Sequence, residues 1–279
     1  MSINKIIEQG LDEDLGAIGD LTSNCTIAID RQIKFRISNR EPIVLCGVDI
    51  VRQIFLATQK RLKAPEINLK INYQDGDFLP KNSSIIEGSG NARAIFAAER
   101  LALNLMQHLS GISTVSKQYV DELQGTKAKI LDTRKTIPGL RELQKYAVKT
   151  GGATNHRMAL YDGILIKDNH IAAAGSIAKA VKMVRENLTQ KMPIEVECDN
   201  LSQVEEALAA KVEIIMLDNM NLKQIKAAVA LISGAAKIEV SGGINLKVVG
   251  KIAKTGVDYI SVGALTHSVK AADIGLDVV

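Results

Sequence analysis

From residue 127 onward one pattern repeats: a short apolar run, a charged or glycine end, then a helix-forming stretch. The runs are AKIL before DTRK, GILI before KDNH, IEVE before CDN, IIML before DNM, IEV before SGG and YISV before GAL. Glu197, Asp218, Ser241 and Gly263 mark the ends of the last four and stand 21, 23 and 22 residues apart. That is the length of one strand, one crossover helix and their loops. Residues 201–210, 222–232 and 246–254 supply the helices, and Asn200 and Asn221 supply polar helix starts. Strand–helix units in series predict parallel strands joined by right-handed crossovers. Six units fall short of the eight of a closed barrel, so the expectation is an open, incomplete parallel β/α barrel.

The first hundred residues read differently. Residues 3–15 carry Ile3, Ile6 and Ile7 on one side of a helix, and 20–24 (DLTSN) read as a turn and cap. KFRIS (34–38), PIVLCGV (42–48), LKINY (69–73) and SSIIEGSG (83–90) read as strands, with a helix over 49–58. Strands that neighbour in sequence, with helices beside them, suggest an α+β unit. A long helix is expected over 94–123, with Leu101, Leu105 and Leu109 at i,i+4 spacing. Gly111 is expected to interrupt or kink it, since glycine costs about 1 kcal/mol relative to Ala in a helix.

Composition narrows the function classes. Apolar residues make up 46% and charged residues 24%, ordinary for a globular protein. Aromatics are only 3%, with no Trp, which argues against a stacking platform for single-stranded nucleic acid. The net charge of +4 fits a small anionic substrate as well as RNA or a membrane surface. Cys25, Cys46 and Cys198 form no CxxC pair and no disulfide framework, so a reducing, cytoplasmic setting is expected. The acidic, amphipathic start lacks a signal-peptide core, and no apolar run is long enough to span a membrane. No GxxxxGK[ST] loop is present, and no GxGxxG follows a first strand.

In a parallel β/α architecture the chemistry gathers at the C-terminal ends of the strands. That places Arg134, Lys135, Lys167, Glu197, Asp218, Ser241 and Gly263 around one mouth. Arg141, Lys145, Lys149, His156 and Arg157 lie between the first two runs and read as cations in turns, around Gly151-Gly152. Arginine forks match carboxylates and lysines act as point charges, so the set points to a ligand with several negative charges. Salt bridges to Asp132, Asp162 and Asp168 are the plain alternative. Gly242-Gly243 and Gly263 let backbone N–H groups approach a phosphate, unless they only make tight turns. Glu197 and Asp218 suit Mg²⁺, a general acid/base pair, or pairing with the lysines. His108 and His267 read as packing or surface residues and His170 as a strand-end or capping residue. Cys198 lacks a partner base, and a Schiff base at Lys167 suits so cationic a site less well than a charged transfer reaction.

LDTRKTIPGLR (131–141), GGATNHR (151–157), LYDGILIKDNHI (160–171), VECDN (196–200) and VSGGIN (240–245) closely resemble the quinolinate phosphoribosyltransferase family. DLT at 20–22 and AERLALNLMQHLSGI at 98–112 extend the resemblance over nearly the whole chain. It implies an N-terminal α/β sandwich over 1–108 and a C-terminal open β/α barrel over 109–279. It also implies a homodimer in which one chain's sandwich covers the other's barrel mouth, and a reaction joining quinolinate to phosphoribosyl pyrophosphate with Mg²⁺. The products implied are nicotinate mononucleotide, pyrophosphate and CO₂, on the de novo route to NAD. By resemblance, Arg134, His156, Arg157 and Lys167 bind the quinolinate carboxylates, Arg100 reaches in from the partner subunit, and Thr133 contacts substrate. Lys135, Glu197 and Asp218 handle ribose, pyrophosphate and Mg²⁺, while Ser241, Gly242, Gly243 and Gly263 cradle the 5′-phosphate. Lys135, Lys167, Glu197 and Asp218 are the implied catalytic set. Ile137 and Ala153-Thr154 depart from the family's common residues, but none carries charge chemistry. Two rivals remain: a paralogue of the same fold associated with molybdenum transport, against which the complete cation set argues, and an RNA-binding module, which rests on basic charge alone.

Overall fold

The computed structural model describes residues 2–279. In chain order it begins with α1 (Ile3–Leu15), α2 (Leu21–Thr26), β1 (Gln32–Asn39), β2 (Ile43–Val44), α3 (Val48–Leu62), β3 (Asn68–Ile71), β4 (Phe78–Leu79), β5 (Ser84–Asn91) and α4 (Ala92–Asp121). Then come β6 (Lys129–Leu131), α5 (Arg141–Thr150), β7 (Ile164–Ile166), α6 (Asp168–Ala174), α7 (Ile177–Asn187), β8 (Ile194–Cys198) and α8 (Leu201–Ala209). The chain finishes with β9 (Ile214–Asp218), α9 (Leu222–Ile232), β10 (Lys237–Ser241), α10 (Leu246–Ala253), β11 (Tyr259–Ser261), α11 (Ala264–His267) and β12 (Ile274–Val278). These form two compact units: the described residues up to Lys117 with Ile137–Gly152 and Ser268–Val279, and Gln118–Thr136 with Ala153–His267. The boundary expected at 108/109 lies inside α4.

The first unit holds an antiparallel sheet of order β12-β1-β5-β3 and a two-stranded ribbon of β2 and β4. Its core is built where alternate strand residues meet a helix face. Phe35 of β1 stacks on Phe55 of α3 with ring centroids 5.3 Å apart, and both are buried with Ile37, Ile54 and Ile86. Three sequence expectations change here. DLTSN is not a simple turn but the start of α2, capped by Asp20, whose carboxylate accepts the Ser23 N–H at 3.0 Å. The expected strand over 42–48 shortens to Ile43–Val44. From Cys46 on the amides turn to side chains: Cys46 N–H donates to Ser110 Oγ, and Gly47 and Val48 N–H donate to Asp75 Oδ1. Gly111 does not break α4, which is helical throughout. A Cβ there would lie 2.3 Å from the Lys270 carbonyl oxygen, so the glycine answers a close backbone approach.

A fourth correction concerns the cations. Arg141, Lys145 and Lys149 lie on α5 at i,i+4 spacing, in the first unit, not in turns. Tyr146 of the same helix donates its hydroxyl to Asp75 Oδ2 at 2.7 Å, and Gln144 contacts His108 Nε2 at 2.9 Å.

The second unit is a six-stranded parallel sheet of order β6-β11-β10-β9-β8-β7. β6 and β7 are its edges and do not pair among the described residues, so the sheet stays open, as the six-fold pattern predicts. The chain between these two edge strands includes Ile137–Gly152, which belongs to the other unit. Two crossover helices start at the expected Asn200 and Asn221, and a third starts at Asn245. Asn200 accepts the Gln203 N–H, Asn221 those of Lys223 and Gln224, and Asn245 that of Lys247. Each cap contributes roughly 1 kcal/mol.

Candidate active site

At the C-terminal ends of the parallel strands lies a cavity of about 520 Å³. It is lined by Thr133, Arg134, Lys135, His156, Arg157, Lys167, Glu197, Asp218, Ser241, Gly242 and Gly243, all singled out in the sequence. Strand alternation explains the gathering. Ser241 is the register partner of Asp218, and Glu197 that of Met216, so neighbouring strands end at one level.

The loop after β6 presents the first group. Lys135 N–H donates to Thr133 Oγ1 at 3.1 Å, and the Lys135 carbonyl accepts from Thr266 Oγ1 at 2.7 Å. Gly263 is not part of the cavity wall. It ends the β11 run beside that loop, where a Cβ would lie 3.3 Å from Lys135 Cδ and 3.0 Å from His267 Nε2.

Arg157 donates Nη1 to the Gly163 carbonyl at 2.8 Å. Its pKa is lowered by burial and by the neighbouring Arg134 guanidinium. Two guanidiniums held near each other favour the approach of an anion. Lys167, the residue after β7, forms an ion pair with Glu197 at the end of β8. Its backbone N–H donates to His170 Nδ1 at 2.9 Å, so His170 is a capping residue, as expected. Of the aspartates weighed as salt-bridge partners, Asp162 accepts the Met158 and Ala159 N–H groups. Asp168 accepts the Asn169 N–H.

The glycine turn after β10 is sterically required at one position. Gly242 has φ +92°, and a Cβ there would fall 2.2 Å from Asn219 Oδ1. Asn219 itself adopts φ 53°, which asparagine tolerates. Its N–H donates to the Ser241 carbonyl at 3.0 Å and its amide to Asp218 Oδ2 at 2.6 Å. Asn219 thus ties the end of β9 to the glycine turn.

Sequence reasoning passed over Asn219, Met216, Leu165 and Ser261, which also line the cavity. It also passed over Glu195 and Glu239, which lie two residues before Glu197 and Ser241 on the same strand faces. The DN pair at 218–219 and the alternation in IEVE and IEVS were the available signals. Arg100 lies exposed on α4 in the first unit. Cys198 is buried and its thiol pushed up to about 12 by burial, with Asp199, Glu206 and Glu197 adding to the shift, so it is no nucleophile.

Two family profiles match the chain: quinolinate phosphoribosyl transferase, N-terminal domain, over 20–110 and C-terminal domain over 112–277. A nicotinate-nucleotide pyrophosphorylase [carboxylating] of Mycobacterium leprae is 43% identical over 274 residues, covering 97% of this chain and 95% of that protein. A quinolinate phosphoribosyltransferase [decarboxylating] of Nicotiana tabacum is 40% identical over 291 residues, covering 98% and 81%. The crystal structure of nicotinate-nucleotide pyrophosphorylase from Ehrlichia chaffeensis superposes with a TM-score of 0.95 at 46% identity, covering 100% and 99%. With both domain profiles matched in order and relatives of 40% identity or more over nearly the whole chain, the chain belongs to the quinolinate phosphoribosyltransferase family.

Proposed function

We propose that the mouth of the parallel sheet is where this chain carries out its reaction. That reaction transfers the phosphoribosyl group of phosphoribosyl pyrophosphate to quinolinate with loss of CO₂. It gives nicotinate mononucleotide and pyrophosphate in de novo NAD biosynthesis. The observation that carries the placement is the Arg134–Arg157–Lys167 set in one cavity with the Gly242-Gly243 turn.

In this reading Arg134, Arg157 and Lys167 receive the two carboxylates of quinolinate, and His156 lines the cavity beside them. They fix the ring so that its nitrogen faces the anomeric carbon. Ser241, Gly242 and Gly243 receive the 5′-phosphate through backbone N–H groups, and Gly263 shapes the neighbouring loop. Thr133 orders the loop that presents Lys135 to the pyrophosphate. As the bond to pyrophosphate breaks, positive charge builds on the ribose and negative charge on the leaving group. Lys135 answers the latter, and Glu197 and Asp218 face the former. The new C–N bond turns the ring into a pyridinium. The adjacent carboxylate then departs as CO₂, leaving its bonding electrons on the ring carbon, which takes up a proton. Lys167, anchored by Glu197, stands at the carboxylate end of this path.

Glu197 and Asp218 also fit a Mg²⁺ site of a particular kind. One Glu197 oxygen is held by Lys167 and one Asp218 oxygen by Asn219, so a closed all-protein cage is not on offer. Two oxygen donors on one rim suit an ion that keeps its waters and takes substrate oxygens. When bound, such an ion would neutralise charge on the pyrophosphate.

A homodimer belongs to the same reading. Arg100 is exposed on α4, and we assign it to the mouth of a second copy, the role that the family resemblance implies. No helix among the described residues is long and apolar enough to cross a membrane, and we place the chain in the cytoplasm.

The test is to follow nicotinate mononucleotide and CO₂ together from quinolinate and phosphoribosyl pyrophosphate, with Mg²⁺ and with a chelator. Mixing Arg100→Ala and Lys167→Ala chains, each inactive alone, should restore part of the activity if the site is shared. A mixture as dead as its components would remove the shared site.

A further inference from the structure

The interior of a parallel β/α sheet is normally filled by branched apolar side chains. Here it holds two acids. Glu195 of β8 is 4% exposed and Glu239 of β10 is 1% exposed. Both face His156: its Nε2 lies 3.2 Å from Glu195 Oε2 and 3.7 Å from Glu239 Oε2. Ser261 of β11 donates its hydroxyl to Glu239 Oε1 at 2.5 Å. Nothing in the reaction outlined above uses either glutamate.

Two buried carboxyls this close do not both ionise. Burial, with Glu195 beside it, pushes Glu239 well above the usual carboxylate range, so Glu239 keeps its proton and shares it with Glu195. Oε1 of Glu195 is buried with no hydrogen-bond partner among the described residues. The histidine is fixed from three sides. Its backbone N–H donates to Asp132 Oδ1 at 2.8 Å, and its Nδ1 accepts the Arg157 N–H at 2.7 Å. An Nδ1 that accepts cannot carry the ring proton, so the proton sits on Nε2 and points at Glu195. Both ring nitrogens therefore face the protein.

We infer that Glu195 and Glu239 are positioning residues for quinolinate: the hydrogen-bonded pair clamps His156 by Nε2, and His156 in turn fixes the Arg157 backbone and hence its guanidinium. Loss of the clamp frees the imidazole to turn, and the Arg157 amide loses its acceptor. The cost falls on the carboxylate end of the site and spares the phosphate end. The inference rests on the assignment of Arg157 to a quinolinate carboxylate. The same three side chains could hold a divalent metal ion. An Nε2–H has no lone pair to give and Glu239 retains its proton, so the hydrogen-bonded triad is the favoured occupant.

The experiment compares steady-state kinetics of Glu239→Ala, Glu239→Gln and Arg157→Ala, with metal analysis of the purified wild-type protein. Glu239→Ala should raise KM for quinolinate roughly tenfold, the scale of a lost supporting contact, and leave KM for phosphoribosyl pyrophosphate within about twofold. Glu239→Gln keeps a donor toward Glu195 and should restore the quinolinate KM. It also keeps the inference testable if the alanine variant fails to fold. A merely structural role would lower the melting temperature of Glu239→Ala without separating the two KM values, and that outcome overturns the inference. So does a glutamine variant as impaired as the alanine one, or one equivalent of tightly bound transition metal. If Arg157→Ala leaves the quinolinate KM unchanged, the assignment of Arg157 fails and the inference falls with it. If Arg157→Ala raises that KM and Glu239→Ala does not, the inference alone fails.

Discussion

At the N-terminal ends of β10 and β11, Asp258 is met by the Lys127 and Lys237 ammoniums, each at 3.0 Å, and by the Ile238 N–H at 3.1 Å. At the C-terminal ends of the same sheet, Arg134 and Arg157 are set beside each other, and Lys135 has no ion-pair partner among the described residues. One end gathers its cations on a single carboxylate, and the other sets like charges side by side. The difference teaches how to separate charge that holds the fold from charge that waits for a ligand. Ion pairs at the base complete a hydrogen-bond inventory, while like charges at the mouth raise each other's cost, which a bound anion would lower.

Substitutions at the two ends should therefore separate activity from stability. The largest effect is expected from Arg157→Ala, which removes a charge-assisted contact worth about 1.5–3 kcal/mol. Its kcat/KM for quinolinate should drop roughly a hundredfold, while its melting temperature stays near that of the parent. Gly242→Ala comes next. The added Cβ would overlap Asn219 at a left-handed backbone position, so the turn must shift. KM for phosphoribosyl pyrophosphate should rise on the order of tenfold, with a loss of about 1–3 kcal/mol in stability. Kinetics and urea unfolding on one preparation check both.

Asp258→Asn should do the reverse of Arg157→Ala. Burial raises this carboxyl, but the Ile238 amide and the two lysines outweigh burial and hold it below the usual carboxylate value. Its stabilisation is thus present above the unfolded-state carboxylate pKa and is lost as pH falls through the lowered folded value. The lysines are largely exposed, so screening limits the effect to about 1–2 kcal/mol. Urea unfolding at neutral and acid pH should show the gap between parent and variant closing on acidification, with KM values unchanged at neutral pH. The smallest effect concerns thiols. Exposed Cys25 should react with a thiol reagent in the native protein, while buried Cys46 and Cys198 react only on unfolding.

The contrast between the two ends was half legible in the sequence. The period of the apolar runs places the strand ends, and function follows the strand end, so the mouth could be read from Glu197, Asp218 and Ser241 alone. The base could not. Lys127, Lys237 and Asp258 are ordinary surface letters until the register brings them together. β12 escaped for a related reason: it pairs with β1 across most of the chain, and no local pattern encodes a partner that distant. Arg141, Lys145 and Lys149 show the opposite error. Their four-residue spacing is that of a helix, and the density of charge around them drew attention from it. Glu195 and Glu239 were hidden because strand acids normally read as solvent-facing, and only burial shows that they point inward.

The central proposal is that Arg134, Arg157 and Lys167 at the mouth receive the second carboxylate of quinolinate. It is tested most directly by comparing kcat/KM for quinolinate and for nicotinic acid, which lacks that carboxylate, on one preparation with phosphoribosyl pyrophosphate. Product and CO₂ from quinolinate alone are the predicted result. Equal turnover of nicotinic acid would show that the cations serve the phosphates instead, and would contradict the account.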